Sequence, residues 1–512
     1  MELNWVALAV FLVAFGFVTF LGFAAVHWRR GDLDLLHEWG LAGGRFGTLV
    51  TWFLLGGDLY TAYTFIAVPA FAFGAGAVAF FAVPYTVMVY PFVFLVFPRL
   101  WSVAKRHGYI TAADFVRGRY GNRWLALAVA LTGLLATMPY IALQLVGIQV
   151  VIAGMGVGGS GWLGEVPLVI AFVILAAFTY SSGLRAPAAI AIVKDFMIYT
   201  VVVAAIVVVP LKLGGYGAIF AAVPKENLLL KPPGPNDFGA FSGYASLALG
   251  SALALFLYPH SVTGVLSSSG REVIRRNAAL LPAYSILLGL IALLGYMAIA
   301  AGVASMPQFA ELFAQHKNNF AVPALFLAVF PSWFVGFAFA AIAIGALVPA
   351  AIMSIAASNL YTRNIYREFI SPDCSPKREA QMAKYVSLIV KFGALLFITS
   401  LPLSFAIQLQ LLGGVWIIQT LPAVVFGLYT RWFNAWALLI GWAAGITGGT
   451  LMVASQSFRS VFPLMIGNFT VTGYPAIYGL LLNIVVTVVL TLVLKAAGAR
   501  AGVDETAVPD YG

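Results

Sequence analysis

Two acidic residues stand where an apolar solvent makes an acid costly. Of the 18 Asp and Glu in the chain, Asp58 and Asp195 are the ones that fall well inside long apolar runs. An ionisable group at membrane depth points to function, as a ligand for a cation or a carrier of a proton. Asp58 follows Gly56 and Gly57 in LLGGDLYTAYTFIAVP. The glycine pair weakens a helix where the acid sits, and an interrupted helix exposes carbonyls and amides that ligate a cation or hold an anion where they line a cavity. A kinked helix with a satisfied structural Asp is the alternative. Asp195 neighbours Lys194 in PAAIAIVKDFMIYT. Successive helical side chains diverge by about 100°, so each is expected to find another partner. Structural pairing and a place on an ion path both fit this pair.

A second interruption is expected in LFLYPHSVTGVLSSSG, where Pro259 removes a backbone donor and Tyr258, His260, Ser261 and Thr263 bring polar groups to membrane depth. A lone histidine there is either a hydrogen-bonded packing residue or a ligand. In GALVPAAIMSIAASNL, Ser354 and Ser358 are one helical turn apart and share a face, although such hydroxyls commonly bond the preceding turn. Other chemistries lack their residues. No phosphate-cradling loop is present, His27, His37, His107, His260 and His316 are scattered, and the lone Cys374 allows neither an intrachain disulfide nor a cysteine metal site. No nucleophile stands with a plausible base, so an enzyme is not expected.

The elements that position these residues are membrane helices. With 512 residues, 62% hydrophobic and 9% charged, the chain has the bilayer as its solvent. A span needs roughly 20 apolar residues. Thirteen spans are predicted at about 5–27, 46–72, 75–98, 125–154, 164–181, 187–210, 242–268, 278–304, 333–360, 384–403, 406–430, 432–454 and 473–495. The first has no basic stretch before it, since the chain starts MELN, and Arg29 and Arg30 follow it, so it reads as a retained span with an outside N-terminus. With that orientation, 21 of the 28 Lys and Arg are cytoplasmic, five are outside and two, Lys194 and Lys391, lie within spans. This asymmetry follows the positive-inside rule and accounts for the formal charge of +10 without a nucleic-acid partner. The Pro- and Gly-rich stretch Lys225–Gly239 reads as an external loop, either a connector or a cover over a pathway.

The Gly-broken helix opens one group of five spans and the Pro-broken helix opens the next. Paired interruptions in two halves point to a transporter with inverted repeats and a midplane site. The expected organisation is an extra N-terminal helix and loop (1–45), a first five-helix repeat (46–211), an external loop (212–240), a second repeat (241–431) and two C-terminal helices with a short tail (432–512).

From about Glu38 to Gly445 the chain resembles the sodium/solute symporter family, an all-α membrane family of LeuT-type fold. EWGLAGGRFG, ITAADFVRGRYGNRW followed by PYIALQLVGI, FTYSSGLRAPAAIAIVKDFMIY, AAIMSIAASNLYTRNIY and LGGVWIIQTLPAVVFGLYTRWFN carry the resemblance; Ser182 stands where many members have a second Gly. The GGDLYTAYTF, GLRAPA and YPHSVTG segments are similar to the monocarboxylate permease branch. The resemblance implies a sodium site formed by carbonyls of Gly56 and Leu59 with the Ala351 carbonyl and the Ser354 hydroxyl. Ile355 departs from the pattern, standing where many members have Ser or Thr; a hard cation prefers oxygen, so sodium binding is expected to be weakened. A proton carried by Asp58 or Asp195 is the alternative coupling ion.

The function expected is cation-coupled symport of a small organic solute, of lactate or pyruvate type, with an amino acid or a pantothenate-like solute as alternatives. No membrane-buried arginine is available to clamp a carboxylate, so half-helix N-termini, hydroxyls and amides must do so. The lining is predicted to include Tyr60, Tyr63, Thr64, Tyr140, Gln144, Tyr258, His260 and Gln419. The expected partners are a small-molecule substrate, Na+ or H+, and membrane lipid, with no other cofactor and no obligatory protein partner. A transporter-fold sensor, a membrane enzyme and a passive channel are the rival classes.

Overall fold

A computed structural model describes residues 2–28, 31–57, 59–157, 166–399, 406–499 and 502–512. Asp58, one of the two acids singled out by the sequence, lies outside the described residues. The chain runs through helices α1 (Trp5–Ala24), α2 (Thr48–Leu55), α3 (Val68–Ala75), α4 (Ala82–His107), α5 (Ala112–Tyr120), α6 (Arg123–Gly154), α7 (Val166–Ser182) and α8 (Arg185–Lys212). It continues through α9 (Phe241–Leu255), α10 (Pro259–Leu266), α11 (Arg271–Tyr284), α12 (Ile286–Ala300), α13 (Ser332–Tyr361), α14 (Pro376–Thr399), α15 (Ala406–Ile417), α16 (Ala435–Ser455) and α17 (Pro475–Ala496), with shorter turns between them.

Among the described residues, nine helical stretches are long and apolar enough to cross a membrane, and the bent pair α9–α10 makes a tenth. One of the nine, Tyr63–His107, is interrupted at Gly76 (φ 70°) and holds the part after the break of the span predicted at 46–72 and the whole of the one at 75–98. The predicted spans at 164–181 and 384–403 are α7, which is only 17 residues long, and α14, which carries charges in its first turns. Thirteen segments thus remain consistent with the helices seen.

Both predicted interruptions are present. Helix α2 stops at Leu55, and the chain resumes with a wide π-type turn at Tyr63–Ala67 before α3. Within the break, the Thr64 hydroxyl accepts the Thr61 N–H at 2.9 Å and the Thr61 hydroxyl accepts the Tyr63 N–H at 3.0 Å. These threonines satisfy amides that hydrocarbon cannot. The second break separates α9 from α10, which meet at 50°. Pro259 takes the first helical position of α10, where a missing N–H leaves nothing unsatisfied.

Helix α13 forms the centre, with 94% of its apolar window buried, and it packs on α1, α6, α8 and α14. Helices α1, α16 and α17 are peripheral, with 22%, 33% and 28% of theirs buried. An antiparallel hairpin, β1 (Phe462–Ile466) and β2 (Phe469–Gly473), stands between α16 and α17 and was not predicted. It captures the Lys225–Gly239 segment: the Thr470 N–H donates to the Asn236 carbonyl at 2.8 Å, and Phe238 meets Phe469 edge-on at 4.9 Å.

The basic connections gather into a charged layer at one end. Thr111 caps α5 by accepting the Asp114 N–H at 3.0 Å. Arg363 bridges Glu379 at 3.0 Å and Asp114 at 3.5 Å, and Arg119 pairs with Asp504 at 2.8 Å. Asp510 takes His107 at 2.8 Å and Arg106 at 3.2 Å. These ties dock the segment that follows α17 onto the ends of α4 and α5.

Candidate functional site

The first break is built around a buried ion pair from α8. Lys194 and Asp195 are both fully buried. They do pair with each other, Lys194 Nζ to Asp195 Oδ1 at 3.1 Å, and each also holds the other partner that helical geometry called for. Lys194 Nζ donates to the Gly57 carbonyl at 2.5 Å and to the Tyr60 carbonyl at 3.2 Å. Asp195 Oδ2 accepts the Tyr284 hydroxyl at 3.0 Å. Gly57 is needed for this approach, because a Cβ there would lie 2.9 Å from Lys194 Nζ and 2.1 Å from the Phe53 carbonyl. Four rings lie beside the pair: Tyr284 meets Tyr60 at 4.3 Å and Trp52 at 5.7 Å at tilted angles, and Tyr199 edge-on at 5.3 Å.

Helix α6 joins the two breaks. Gln144 Oε1 accepts the Ala62 N–H at 3.1 Å, capping the segment that follows the first break. One turn earlier, Tyr140 meets Tyr258 at 5.4 Å and His260 at 5.3 Å, both from the second break. Gly147 admits Ala62, whose Cβ would be 2.4 Å from a Cβ placed on the glycine. Two neighbouring turns of one unbroken helix thus touch both interruptions.

The predicted lining residues divide accordingly. Tyr140, Tyr258 and His260 form an aromatic cluster, with the Tyr258 hydroxyl bonded to the Gln410 carbonyl at 3.1 Å. Tyr63 is buried, and its hydroxyl has no hydrogen-bond partner among the described residues. Thr64 and Gln144 organise the break. Tyr60 turns its hydroxyl to the Tyr284 carbonyl, toward the ion pair. Gln419 is engaged with the last helix, where Asn483 Nδ2 donates to its carbonyl at 2.9 Å and its side-chain oxygen at 3.2 Å. A small cavity of about 20 Å³ lies beside the second break, lined by Gly133, Leu257, Pro259, Thr263, Ala356 and Leu360 among others.

The residues mapped as cation ligands are mostly engaged within the fold. The Gly56 carbonyl accepts the Leu59 N–H at 3.1 Å, and Ser354 Oγ donates to the Ala351 carbonyl at 2.8 Å. Ser354 Oγ in turn accepts Ser387 Oγ at 3.4 Å, and Ser387 Oγ accepts Lys391 Nζ at 2.7 Å. Lys391 is buried, and no carboxylate pairs with it among the described residues. The expectation is that no membrane-buried arginine is available to clamp a carboxylate. Arg185, at the start of α8, is fully buried but committed to Glu38, bonding its carbonyl at 2.7 Å and its carboxylate. Sequence reasoning missed the Lys194 contact with the break, the Tyr284 partner and the Lys391 relay. For the first, the glycine pair in a span beside a lysine in another span is the only sequence signal.

Two interrupted helices joined through one continuous helix, inside a membrane bundle, define a secondary transporter. The comparisons with known proteins agree. The sodium:solute symporter family model matches residues 39–445. A monocarboxylate transport permease protein of Rhizobium johnstonii is 53% identical over 503 residues, covering 97% of this chain and 98% of the relative. An uncharacterized Bacillus subtilis symporter is 33% identical, with 98% and 97% covered, and a Staphylococcus aureus sodium/proline symporter is 23% identical, with 99% and 96% covered. A solved Na+-coupled sialic acid symporter in a substrate-bound outward-open state superposes with a TM-score of 0.75 over 95% of this chain and 98% of that one, at 15% identity, which shows the shared LeuT-type fold. The chain belongs to the sodium:solute symporter family. It is a multi-pass membrane transporter that carries out cation-coupled symport, and not an enzyme.

Proposed function

We propose that the protein takes up a small monocarboxylate of lactate or pyruvate type by alternating access around the two breaks. The observation that carries this reading is the convergence of both breaks on Tyr140 and Gln144 of α6. A carboxylate bound there finds the Tyr63 hydroxyl and the amino-terminal end of α10, whose dipole favours negative charge. The name of the Rhizobium relative supports the same substrate class. On this reading the coupling step acts on the contact between the first break and α13, where Gly345 faces the Tyr60 carbonyl that Lys194 holds. Binding of the coupling ion favours the outward-open state that admits substrate. The protein sits in a bacterial inner membrane with its N-terminus periplasmic and its charged layer cytoplasmic, in keeping with the basic residues that gather there.

The test is reconstitution in proteoliposomes with labelled lactate, pyruvate and proline, scored first by counterflow and then by uptake under imposed sodium or proton gradients. Saturable lactate or pyruvate counterflow with no proline exchange is expected. Proline exchange without monocarboxylate exchange overturns the substrate assignment, and net uptake indifferent to both gradients overturns coupling.

A further inference from the structure

The family's coupling ion needs an open set of oxygens, and among the described residues several of the oxygens at the first break and on α13 are already engaged. The carbonyls of Gly57 and Tyr60, released by the first break, are both taken by Lys194 Nζ, which also reaches Asp195. Two of the three donors of the lysine ammonium go to these carbonyls, and Asp195 Oδ1 lies 3.1 Å away as its counter-charge. Lys194 is therefore a cation held where a broken helix would offer its carbonyls to a free one. On α13, the Ser354 hydroxyl and Ala351 carbonyl bond each other, and the hydroxyl is joined through Ser387 to the buried Nζ of Lys391. Ile355, with no side-chain oxygen to give, stands next to Ser354. Lys194 thus holds the carbonyls of the residues that directly follow the mapped Gly56 and Leu59, while the mapped α13 oxygens bond each other and Ser387.

We propose that Lys194 is a tethered cation that takes the place of free sodium at the broken helix, so that this symporter's transport does not depend on sodium. The inference rests on reading the chain as a symporter of this family, and it adds the residue that decides ion selectivity. The ammonium holds the break to α8 as a bound ion would, through ion–dipole contacts with two carbonyls. A sodium ion about 4 Å from it, at an effective dielectric constant of about 20, would bind about a thousandfold more weakly than at the same oxygens without the lysine. Replacing Lys194 by Met frees both carbonyls and leaves the Asp195 carboxylate as an added ligand of the kind a hard cation prefers.

The experiment measures binding of radioactive sodium to the purified full-length protein with no organic substrate, in the wild type, Lys194→Met, Lys194→Gln and Lys194→Met/Ile355→Ser. The wild type is expected to bind no saturable sodium up to 100-fold above the concentration at which the single variants half-saturate, and the double variant to bind tighter than Lys194→Met. Counterflow of the transported solute by the wild type is expected to be equal in sodium and in choline. Saturable sodium binding by the wild type overturns the proposal. So does a folded Lys194→Met or Lys194→Gln that binds no more sodium than the wild type. If Lys194→Met does not fold, Lys194→Gln, which keeps a polar donor for the carbonyls, decides. Because sodium binding is read without solute, an error in the monocarboxylate assignment shows only in the counterflow and leaves this result intact.

Discussion

Removing the carboxylate of Asp195 tests how the ion pair holds the first break. In Asp195→Asn the Tyr284 hydroxyl keeps an acceptor, but Lys194 loses the only negative charge paired with it among the described residues. Breaking a buried pair from one side costs about 3–5 kcal/mol, because the remaining charge stays desolvated. Two carbonyls still solvate the ammonium, which places the cost near the lower end, about 3 kcal/mol. Lys194→Met leaves the Asp195 carboxylate with one hydrogen bond and is expected to cost somewhat more. The double variant removes both charges and leaves no desolvated ion. It is expected to be at least about 2 kcal/mol more stable than the sum of the two single losses. Tyr284→Phe, which removes one hydrogen bond to a carboxylate, should cost about 1.5–3 kcal/mol. The assay is unfolding of the detergent-solubilised protein by denaturant titration, compared across the four variants and wild type. A double variant as unstable as the sum of the singles refutes the reasoning, since it would mean that the two charges do not stabilise each other.

Other outcomes follow from neighbouring contacts. His260→Ala and Tyr63→Phe are expected to raise the KM for lactate counterflow by about 10-fold or more, the loss of one hydrogen bond to a charged group, while leaving protein yield unchanged; an unchanged KM in both removes them from the substrate site. Gly295→Val should abolish transport, because a Cβ on α12 already falls 2.3 Å from the Pro69 carbonyl at the start of α3, and retained transport would show that this contact is not needed. Hydrogen bonds from the Ala507 N–H and from His107 hold the Asp510 carboxyl below its ordinary value of 3.8. A depressed carboxyl contributes stability above that value and loses it as pH falls through the lower folded one. Docking of the 502–511 segment should therefore persist from pH 8 to pH 5 and weaken below about pH 4, read by hydrogen exchange of that segment. Asp510→Asn should loosen it at neutral pH, and an undocking midpoint above pH 5 would contradict the assignment.

Composition and spacing alone settled that the chain lives in a bilayer, because 9% charge cannot solvate a water-soluble surface of this size. Local chemistry settled both helix breaks, since Gly56–Gly57 and Pro259 act on their own backbone within a turn. It also singled out Asp195 and Lys194, which no apolar run tolerates without partners. The partners were decided only in three dimensions. Gly57 and Tyr60 are more than 130 residues from Lys194, Tyr284 is 89 from Asp195, and Ser387 is 33 from Ser354. No local pattern encodes such distances. The hairpin at Phe462–Gly473 escaped for a related reason: its FPLMIGNFTVTG stretch is short and apolar, and its pairing is fixed by contact with the Lys225–Gly239 segment. Likewise Gln419, polar within a span, was legible as a buried polar group, but whether it faced a solute or Asn483 depended on where α17 packs. The sequence alone thus determined which residues could not be idle in the membrane. Tertiary structure decided what each one touches, because in hydrocarbon a polar group must be satisfied by whatever the bundle brings beside it.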